Sequence, residues 1–192
     1  IEPNRIEVNI VPIETARLKS ARFRIVQISD LHCDRKPRNE QRVVELINGL
    51  DADVVVFTGD AMNDASALPL LKKTLSSLKA SLGKFAVRGN FEIHLWKNLD
   101  LYGDTGFELL EAGTATVSKD GETINISGLS CGNPEGLQAV LGSVDKENYS
   151  VFLYHFSDLV ESLEGLNVDL YLSGHTHGGQ VALPFYGAII TL

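Results

Sequence analysis

Two histidines near the end of the chain have the spacing of a metal-binding pair. His175 and His177 lie in residues 173–180, SGHTHGGQ, directly after an apolar run. In an extended or tightly turned backbone, residues two apart project to the same side, so both imidazoles can reach one small volume. Neutral imidazole is the commonest protein ligand for divalent metals, and flanking glycines allow a close backbone approach. The stretch therefore predicts half of a metal site.

Further donors follow other predicted strands. Five polar side chains stand at the carboxyl ends of apolar runs: Asp30, His32, Asp60, Asn90 and His155. In α/β sheets, ligands bind in the crevice beyond those ends. Seven oxygen and nitrogen donors without a thiolate suit two ions of manganese, iron or zinc rather than copper(I) or calcium. Two such ions about 3.5–4 Å apart clamp a phosphoryl oxygen and generate hydroxide at neutral pH.

Alternating strand and helix patterns supply the framework for these donors. Apolar runs predict an edge strand at residues 6–10 and strands at 23–29, 53–58, 84–88, 149–154 and 168–172, with 53–58 buried on both faces and 168–172 also buried. Helical spacing predicts helices from residue 39 or 40 to 50 and at 65–82, 93–101, 137–141 and 156–163. Residues 114–117 and 123–127 flank Asp120-Gly121, a hairpin signal. The alternation predicts an α/β domain.

Bulk composition narrows the functional classes. With 192 residues, 44% of them hydrophobic, the chain is long enough for one domain with a sizeable core. The formal net charge of −8 argues against binding of duplex nucleic acid, which requires a basic surface. Two cysteines exclude a disulfide framework and a cysteine-rich zinc site. The apolar runs are too short for a transmembrane segment.

The first residue bears on localisation. Because the chain begins at Ile1 rather than Met, we expect a processed or trimmed product. The compartment stays open between a cytoplasmic protein and, if an N-terminal segment was removed, a membrane-peripheral or exported bacterial protein.

Five motifs stand in the order and rough spacing of one family. They are Asp30-Leu31-His32, Gly59-Asp60, Gly89-Asn90, His155 and Gly174-His175-Thr176-His177. In them, over about residues 23–180, the chain resembles the calcineurin-like metallophosphoesterases. It is most similar to a bacterial branch that contains exported phosphohydrolases and lipid-precursor pyrophosphohydrolases. The resemblance implies a four-layer α/β/β/α sandwich of two mixed sheets flanked by helices, in a single domain over residues 1–192.

The resemblance also implies a role for each donor. A first ion would be held by Asp30, His32 and His177, a second by Asn90, His155 and His175, and Asp60 would bridge both. Asn90 and His175 would have catalytic roles in addition. Of the divalent metals that suit these donors, manganese is favoured.

The chain departs from the family in two places. Many members have a His after the Asn of the third motif, where it protonates the leaving oxygen, but this chain has Phe91. His94 lies three residues further on and could share a helical face, which makes it the substitute candidate. Members usually continue with more strands past the position of Leu192, so we expect the second sheet to lack C-terminal strands.

Taken singly, these residues have less specific interpretations. A lone His155 at a strand end is more often a satisfied polar residue, Asp60 alone suits a helix N-cap, and Asn90 alone suits a turn. We expect Cys33 and Trp96 to serve in packing rather than as a metal thiolate or a groove wall. The coincidence of seven donors favours the metal site.

These features favour a dinuclear metal-dependent phosphohydrolase in which a metal-bridging hydroxide attacks phosphorus. The expected substrate is a small phosphodiester, pyrophosphate or activated phosphate ester, lipid-linked and nucleotide-linked ones included. The alternative is a non-catalytic, metal-stabilised scaffold of the same fold that binds a partner protein. A complete set of seven ligands argues against that alternative.

Overall fold

The computed structural model describes residues 6–177 in full, together with the backbone of two later strands at 181–183 and 187–190. Residues 178–180, the last three of the SGHTHGGQ motif, and both chain termini lie outside the described residues. In the described residues, no helix is long and apolar enough to cross a membrane.

The first half of the chain forms a parallel sheet. Its strands, in sheet order, are β1 (Ile25–Ile28), β2 (Val54–Phe57), β3 (Gly83–Ala86) and β4 (Glu108–Leu109). The connecting helices are α1 (Glu40–Asn48), α2 (Leu68–Ser77) and α3 (Asn90–Leu95). Because neighbouring strands are all parallel, their carboxyl ends meet at one edge of the sheet.

The second half forms a mixed sheet. Its strands, in sheet order, are β5 (Ala112–Lys119), β6 (Glu122–Leu129), β7 (Tyr149–Leu153) and β8 (Leu170–Leu172), and α4 (Leu137–Ser143) lies between β6 and β7 in sequence. β5 and β6 form the predicted antiparallel hairpin, with positive φ at both Asp120 and Gly121. β6, β7 and β8 are parallel. β9 (Val181–Leu183) and β10 (Gly187–Ile190) pair with each other.

The alternation along β2 shows how the layers pack. Val54 and Val56 join the hydrophobic cluster between the two sheets, whereas Val55 and Phe57 join the cluster beneath α1 and α2. A third cluster, around Phe152, lies between the second sheet and α4. All four residues of β2 are fully buried, as predicted. The order helix, sheet, sheet, helix confirms the four-layer α/β/β/α fold.

Three details of the predicted strands differ from the structure. Residues 6–10 form no strand, and Val8 and Ile10 are exposed, because alternating polarity makes a strand only where a partner completes the hydrogen bonds. The strand expected at 168–172 is shorter, and β8 is half-buried rather than buried. The first sheet is purely parallel and only the second is mixed.

Three helices also differ from their predicted ranges. α3 begins at Asn90 and ends at Leu95, rather than covering 93–101, because the Glu92 carboxylate accepts the Gly89 N–H and caps the helix early. α2 ends at Ser77, after which the ammonium group of Lys84 binds backbone carbonyls at the helix end. Residues 156–163 form only a 3₁₀ turn at Glu161–Leu163.

Candidate metal centre

Every candidate donor follows the carboxyl end of a strand, and the two sheets bring those ends together. The first sheet supplies Asp30 and His32 after β1, Asp60 after β2 and Asn90 after β3; the second supplies His155 after β7 and His175 and His177 after β8. Two contacts join the sheets beside the site. The Gln27 amide donates to the Ser173 carbonyl at 2.8 Å, and His155 Nδ1 donates to the Thr58 carbonyl at 2.8 Å.

The first donor cluster contains Asp30, His32 and His177. One ligand atom of each lies within 4.8 Å of the others. His177 Nε2 is 3.3 Å from His32 Nε2 and 3.4 Å from Asp30 Oδ1. Three potential lone-pair donors thus converge on one small volume, as a metal ion requires. An open cavity of about 390 Å³ borders this cluster at Asp30 and His177.

The second donor cluster contains Asp60, His155 and His175, again within 4.8 Å of one another. The side-chain oxygen of Asn90 adds a fourth donor, 2.9 Å from His155 Nε2. Asp60 Oδ2 is 3.4 Å from His155 Nε2 and 3.7 Å from His32 Nε2 of the first cluster. One carboxylate oxygen therefore faces both clusters.

Hydrogen bonds outside the clusters set which histidine nitrogen faces inward. A carbonyl oxygen only accepts, so the bond to Thr58 places the proton of neutral His155 on Nδ1 and leaves Nε2 free to bind metal. His32 Nδ1 lies 2.9 Å from Asn63 Oδ1, while the Asn63 amide nitrogen donates to the His32 carbonyl and to Asp34. His32 Nε2 is thereby also directed inward. Such outer contacts are typical of metal-binding histidines.

Without a bound ion, a proton stabilises the second cluster. Burial alone would raise the pKa of Asp60, but the hydrogen bond and charge of His155 hold that pKa below its ordinary value. Burial would likewise lower the pKa of His155, but Asp60 raises it above its ordinary value. Burial, together with the charge of His155, lowers the pKa of His175. While His155 is protonated, an ion that binds here must displace that proton.

The ligand backbone is strained. Asp30, His32, Asp60, His175 and His177 all have positive φ, between 42° and 69°. Five of the eight described non-glycine residues with positive φ are thus candidate ligands. This left-handed conformation is unfavourable for residues with a Cβ and persists where surrounding contacts enforce it, typically at functional sites.

Glycines allow the strand ends to approach one another. A Cβ on Gly89 would lie 2.3 Å from Asp60 Oδ1, and one on Gly174 would lie 2.5 Å from Asp30 Oδ2. Each contact is much shorter than a carbon and an oxygen tolerate. The glycines of the third and fifth motifs therefore make room for the two carboxylates.

Comparison with known proteins agrees with this geometry. Residues 23–179 match the sequence model of the calcineurin-like phosphoesterases, a range that includes all seven donors. The chain belongs to this family. It is 34% identical to YkuE, an uncharacterised metallophosphoesterase of Bacillus subtilis, over all of this chain and 71% of YkuE. It is 27% identical to the UDP-2,3-diacylglucosamine pyrophosphatase LpxG of Chlamydia trachomatis, over 96% of this chain and 73% of LpxG.

The solved structures support the fold. Phosphopantetheinyl hydrolase PptH from Mycobacterium tuberculosis superposes with a TM-score of 0.52 at 15% identity, over 74% of this chain and 71% of PptH. At that identity the likeness concerns the fold alone. Membership of the calcineurin-like phosphoesterases makes divalent metals the expected occupants of the two clusters, and their oxygen and nitrogen donors fit such ions.

In this calcineurin-like phosphoesterase, Phe91 does lie at the site. Its ring contacts the His32 ring edge to face, with centroids 4.8 Å apart, and its backbone N–H donates to Asp60 Oδ1 at 3.0 Å. His94 is exposed, and no hydrogen bond or ring contact joins it to any described donor. A role of His94 as proton donor has no support in the described residues.

Cys33 and Trp96 pack as predicted. Cys33 is fully buried in the cluster beneath α1 and α2, and burial raises the pKa of its thiol to about 12. Trp96 packs against the same cluster and donates to the Met62 carbonyl at 3.1 Å.

Sequence reasoning missed two residues that support the ligands. Glu92 is fully buried, and its carboxylate accepts the backbone N–H groups of Gly89, Asp60 and Ala61 at 2.6–2.9 Å. Its place three residues after the N-cap Gly89, where a Glu side chain can accept the N-cap N–H, was the available signal. Asn63 had no such signal, because its hydrogen bond to His32 spans 31 residues.

Proposed function

We propose that this protein is a dinuclear metal-dependent phosphohydrolase. One ion would be held by Asp30, His32 and His177, the other by Asn90, His155 and His175, with Asp60 between them and manganese as the expected metal. The observation that carries the proposal is the position of Asp60 Oδ2, within 3.7 Å of a histidine nitrogen in each cluster. A carboxylate shared in this way suits two adjacent ions better than one.

The protein's own residues would bind and orient the phosphoryl group. Divalent ions, when bound, supply positive charge to phosphoryl oxygens and lower the pKa of water so that hydroxide is available at neutral pH. The Asn90 amide and the His175 imidazole stand beside them and would stabilise charge that develops on those oxygens. Glu92 and the Phe91 N–H hold Asp60 in place from behind.

The leaving group follows from Phe91. A phenyl ring cannot donate a proton, so the departing oxygen must be stable as an anion or take its proton from water. Two substrate classes meet this condition: aryl phosphate esters, and pyrophosphates, in which the departing group is itself a phosphate. LpxG is named as a pyrophosphatase that acts on UDP-2,3-diacylglucosamine, a nucleotide sugar with two acyl chains. The similarity to LpxG therefore supports a pyrophosphate or a lipid-linked substrate.

The test combines metal counting with turnover. Protein loaded with manganese should bind two ions per chain and hydrolyse bis(4-nitrophenyl) phosphate. Asp60→Ala should lose activity and most of the metal. The matched control is Asp104→Ala, which changes an exposed Asp that also has positive φ (62°) but lies outside the clusters. A content that never exceeds one ion in the unmutated protein would exclude the dinuclear site.

The alternative function is a non-catalytic scaffold that binds a partner protein. It is favoured by Phe91, which stands where many family members have a proton-donating His, because a scaffold needs no proton donor. It predicts two bound ions without turnover of any activated diester. Turnover that depends on Asp60 and not on Asp104 would exclude it.

A further inference from the structure

Two phenylalanines outside the three hydrophobic clusters contact the candidate ligand histidines, and Phe156 also contacts the Tyr154 ring, with centroids 5.9 Å apart. Phe91 contacts His32 at 4.8 Å between centroids, and Phe156 contacts His175 at 4.5 Å and His155 at 5.2 Å. Both rings are only partly buried, and neither belongs to any of the three hydrophobic clusters. By contrast, Phe57 and Phe152 are fully buried in those clusters.

The two rings stand on opposite halves of the metal centre. Phe91 directly follows Asn90 but lies against His32 of the first cluster, whereas Phe156 directly follows His155 and lies against the second cluster. A phosphoryl group bound between the clusters would therefore have an aromatic ring on each flank. Partly exposed phenyl rings beside a polar centre cost solvation free energy unless a ligand covers them.

From these contacts we propose that Phe156, together with Phe91, selects phosphoryl substrates whose organic group next to phosphorus is flat or apolar. The proposal rests on the proposed phosphohydrolase function and refines its substrate class. Phe156 is the specificity-determining residue, because its ring contacts two histidines of the second cluster while its outer face stays partly open.

Two diesters with the same leaving group isolate this recognition. Bis(4-nitrophenyl) phosphate and methyl 4-nitrophenyl phosphate both release 4-nitrophenolate, so only the retained group differs. Phe156→Ala should lower kcat/KM for the bis-aryl diester by about tenfold, mainly through KM, and for the methyl diester by less than about twofold. Phe156→Tyr, which keeps a flat ring, should retain the preference, and manganese content should stay unchanged in both variants.

Leu95→Ala is the matched control, because Leu95 is an exposed apolar residue on α3, the helix that also carries Phe91. It should leave both diesters unaffected. Equal losses on the two diesters after Phe156→Ala, or no loss on either, would overturn the proposal, because the ring would then only support the histidines or play no part.

A binding measurement separates this proposal from the proposed function. Calorimetry on manganese-loaded protein should show diphenyl phosphate binding about tenfold more tightly than dimethyl phosphate, with the difference lost in Phe156→Ala. Tighter binding of diphenyl phosphate without turnover of either nitrophenyl diester would support selection by Phe156 and refute the hydrolase function. Equal binding of the two phosphates by the unmutated protein would refute selection by Phe156 without contradicting the hydrolase function.

Discussion

The two halves of the metal centre differ in how firmly the protein holds them. In the second cluster, the His155 side chain is fully buried and the Asp60 side chain is 3% exposed. In the first cluster, the His32 side chain is 16% exposed and the His177 side chain 30% exposed, and a cavity opens beside His177. The second cluster is therefore enclosed by the fold, whereas the first faces solvent.

Hydrogen bonds to the histidines differ in the same way. The carboxylates of both clusters accept a backbone N–H, Asp60 from Phe91 and Asp30 from His175. His155 is fixed by the Thr58 backbone carbonyl, whereas His32 is held by the exposed Asn63 side chain. A buried, backbone-supported site should bind its ion more tightly and release it more slowly than an open one. On the proposed function, this difference predicts a tightly held ion beside a more readily exchanged one.

The largest expected difference comes from removing one histidine in each half. His155→Ala should abolish the second ion, disturb the shared Asp60 and reduce turnover by about 10³-fold or more, because a ligand and a charge partner are lost together. His177→Ala should remove only the first ion. Elemental analysis of each variant after loading with manganese measures this directly.

His177→Ala should keep one manganese ion per chain. His155→Ala should keep fewer than one, because loss of the His155 partner also disturbs Asp60. If both variants keep one ion and lose equal affinity for it, the two halves are equivalent and the comparison is wrong.

Glu92 tests the support beneath the enclosed half. Glu92→Gln should lower the free energy of unfolding by about 2–4 kcal/mol, because a buried carboxylate that accepts three backbone N–H groups is replaced by an amide with a single acceptor oxygen. Urea unfolding of the metal-free protein measures the change. Glu45→Gln, an exposed substitution on α1, should stay within about 0.5 kcal/mol. A loss for Glu92→Gln as small as that of the control would show that Glu92 is not a support.

Asn63 tests the support of the open half. Asn63→Ala should weaken binding of the first ion by about 10–100-fold and leave the second nearly unchanged, because only His32 loses its partner. Competitive chelation, followed ion by ion, reports both affinities. An equal change at both ions would show that the clusters act as one unit.

Acidification should weaken metal binding at the second cluster. The raised pKa of His155 means that its protonated form is stabilised in the metal-free fold. That contribution to metal-free stability is fully present below the ordinary pKa of about 6.5 and is lost as pH rises through the higher folded value. Protons therefore begin to compete with the second ion above pH 6.5.

As the pH falls towards about 6.5, affinity for the second ion should decrease, because His155 takes up a proton that the ion must displace. Isothermal titration at several pH values measures the affinity, with the number of protons released on binding as an internal check. Release of no proton at pH 6.5 would contradict the assignment of the displaced proton to His155.

Local sequence patterns determined most of the framework. The apolar run before Thr58, the helical spacing after Asn39 and the Asp120-Gly121 turn predicted β2, α1 and the β5–β6 hairpin, because each depends on neighbours a few residues apart. The order of the motifs indicated the family and placed the donors at strand ends. The division of those donors between two ions, and a single domain over residues 1–192, stay predictions.

Only the tertiary structure decided how those donors meet and what supports them. His32 and His177 approach within 3.3 Å although 145 residues separate them, and the packing of two sheets brings them together. The same packing places Phe156 on His175, directs His155 through Thr58, and leaves residues 6–10 without a partner strand. A pattern in the chain records which residue types are present and their spacing. Contacts between distant strands arise only when burial of the sheet faces aligns the strand ends, so those contacts could not be predicted from local patterns.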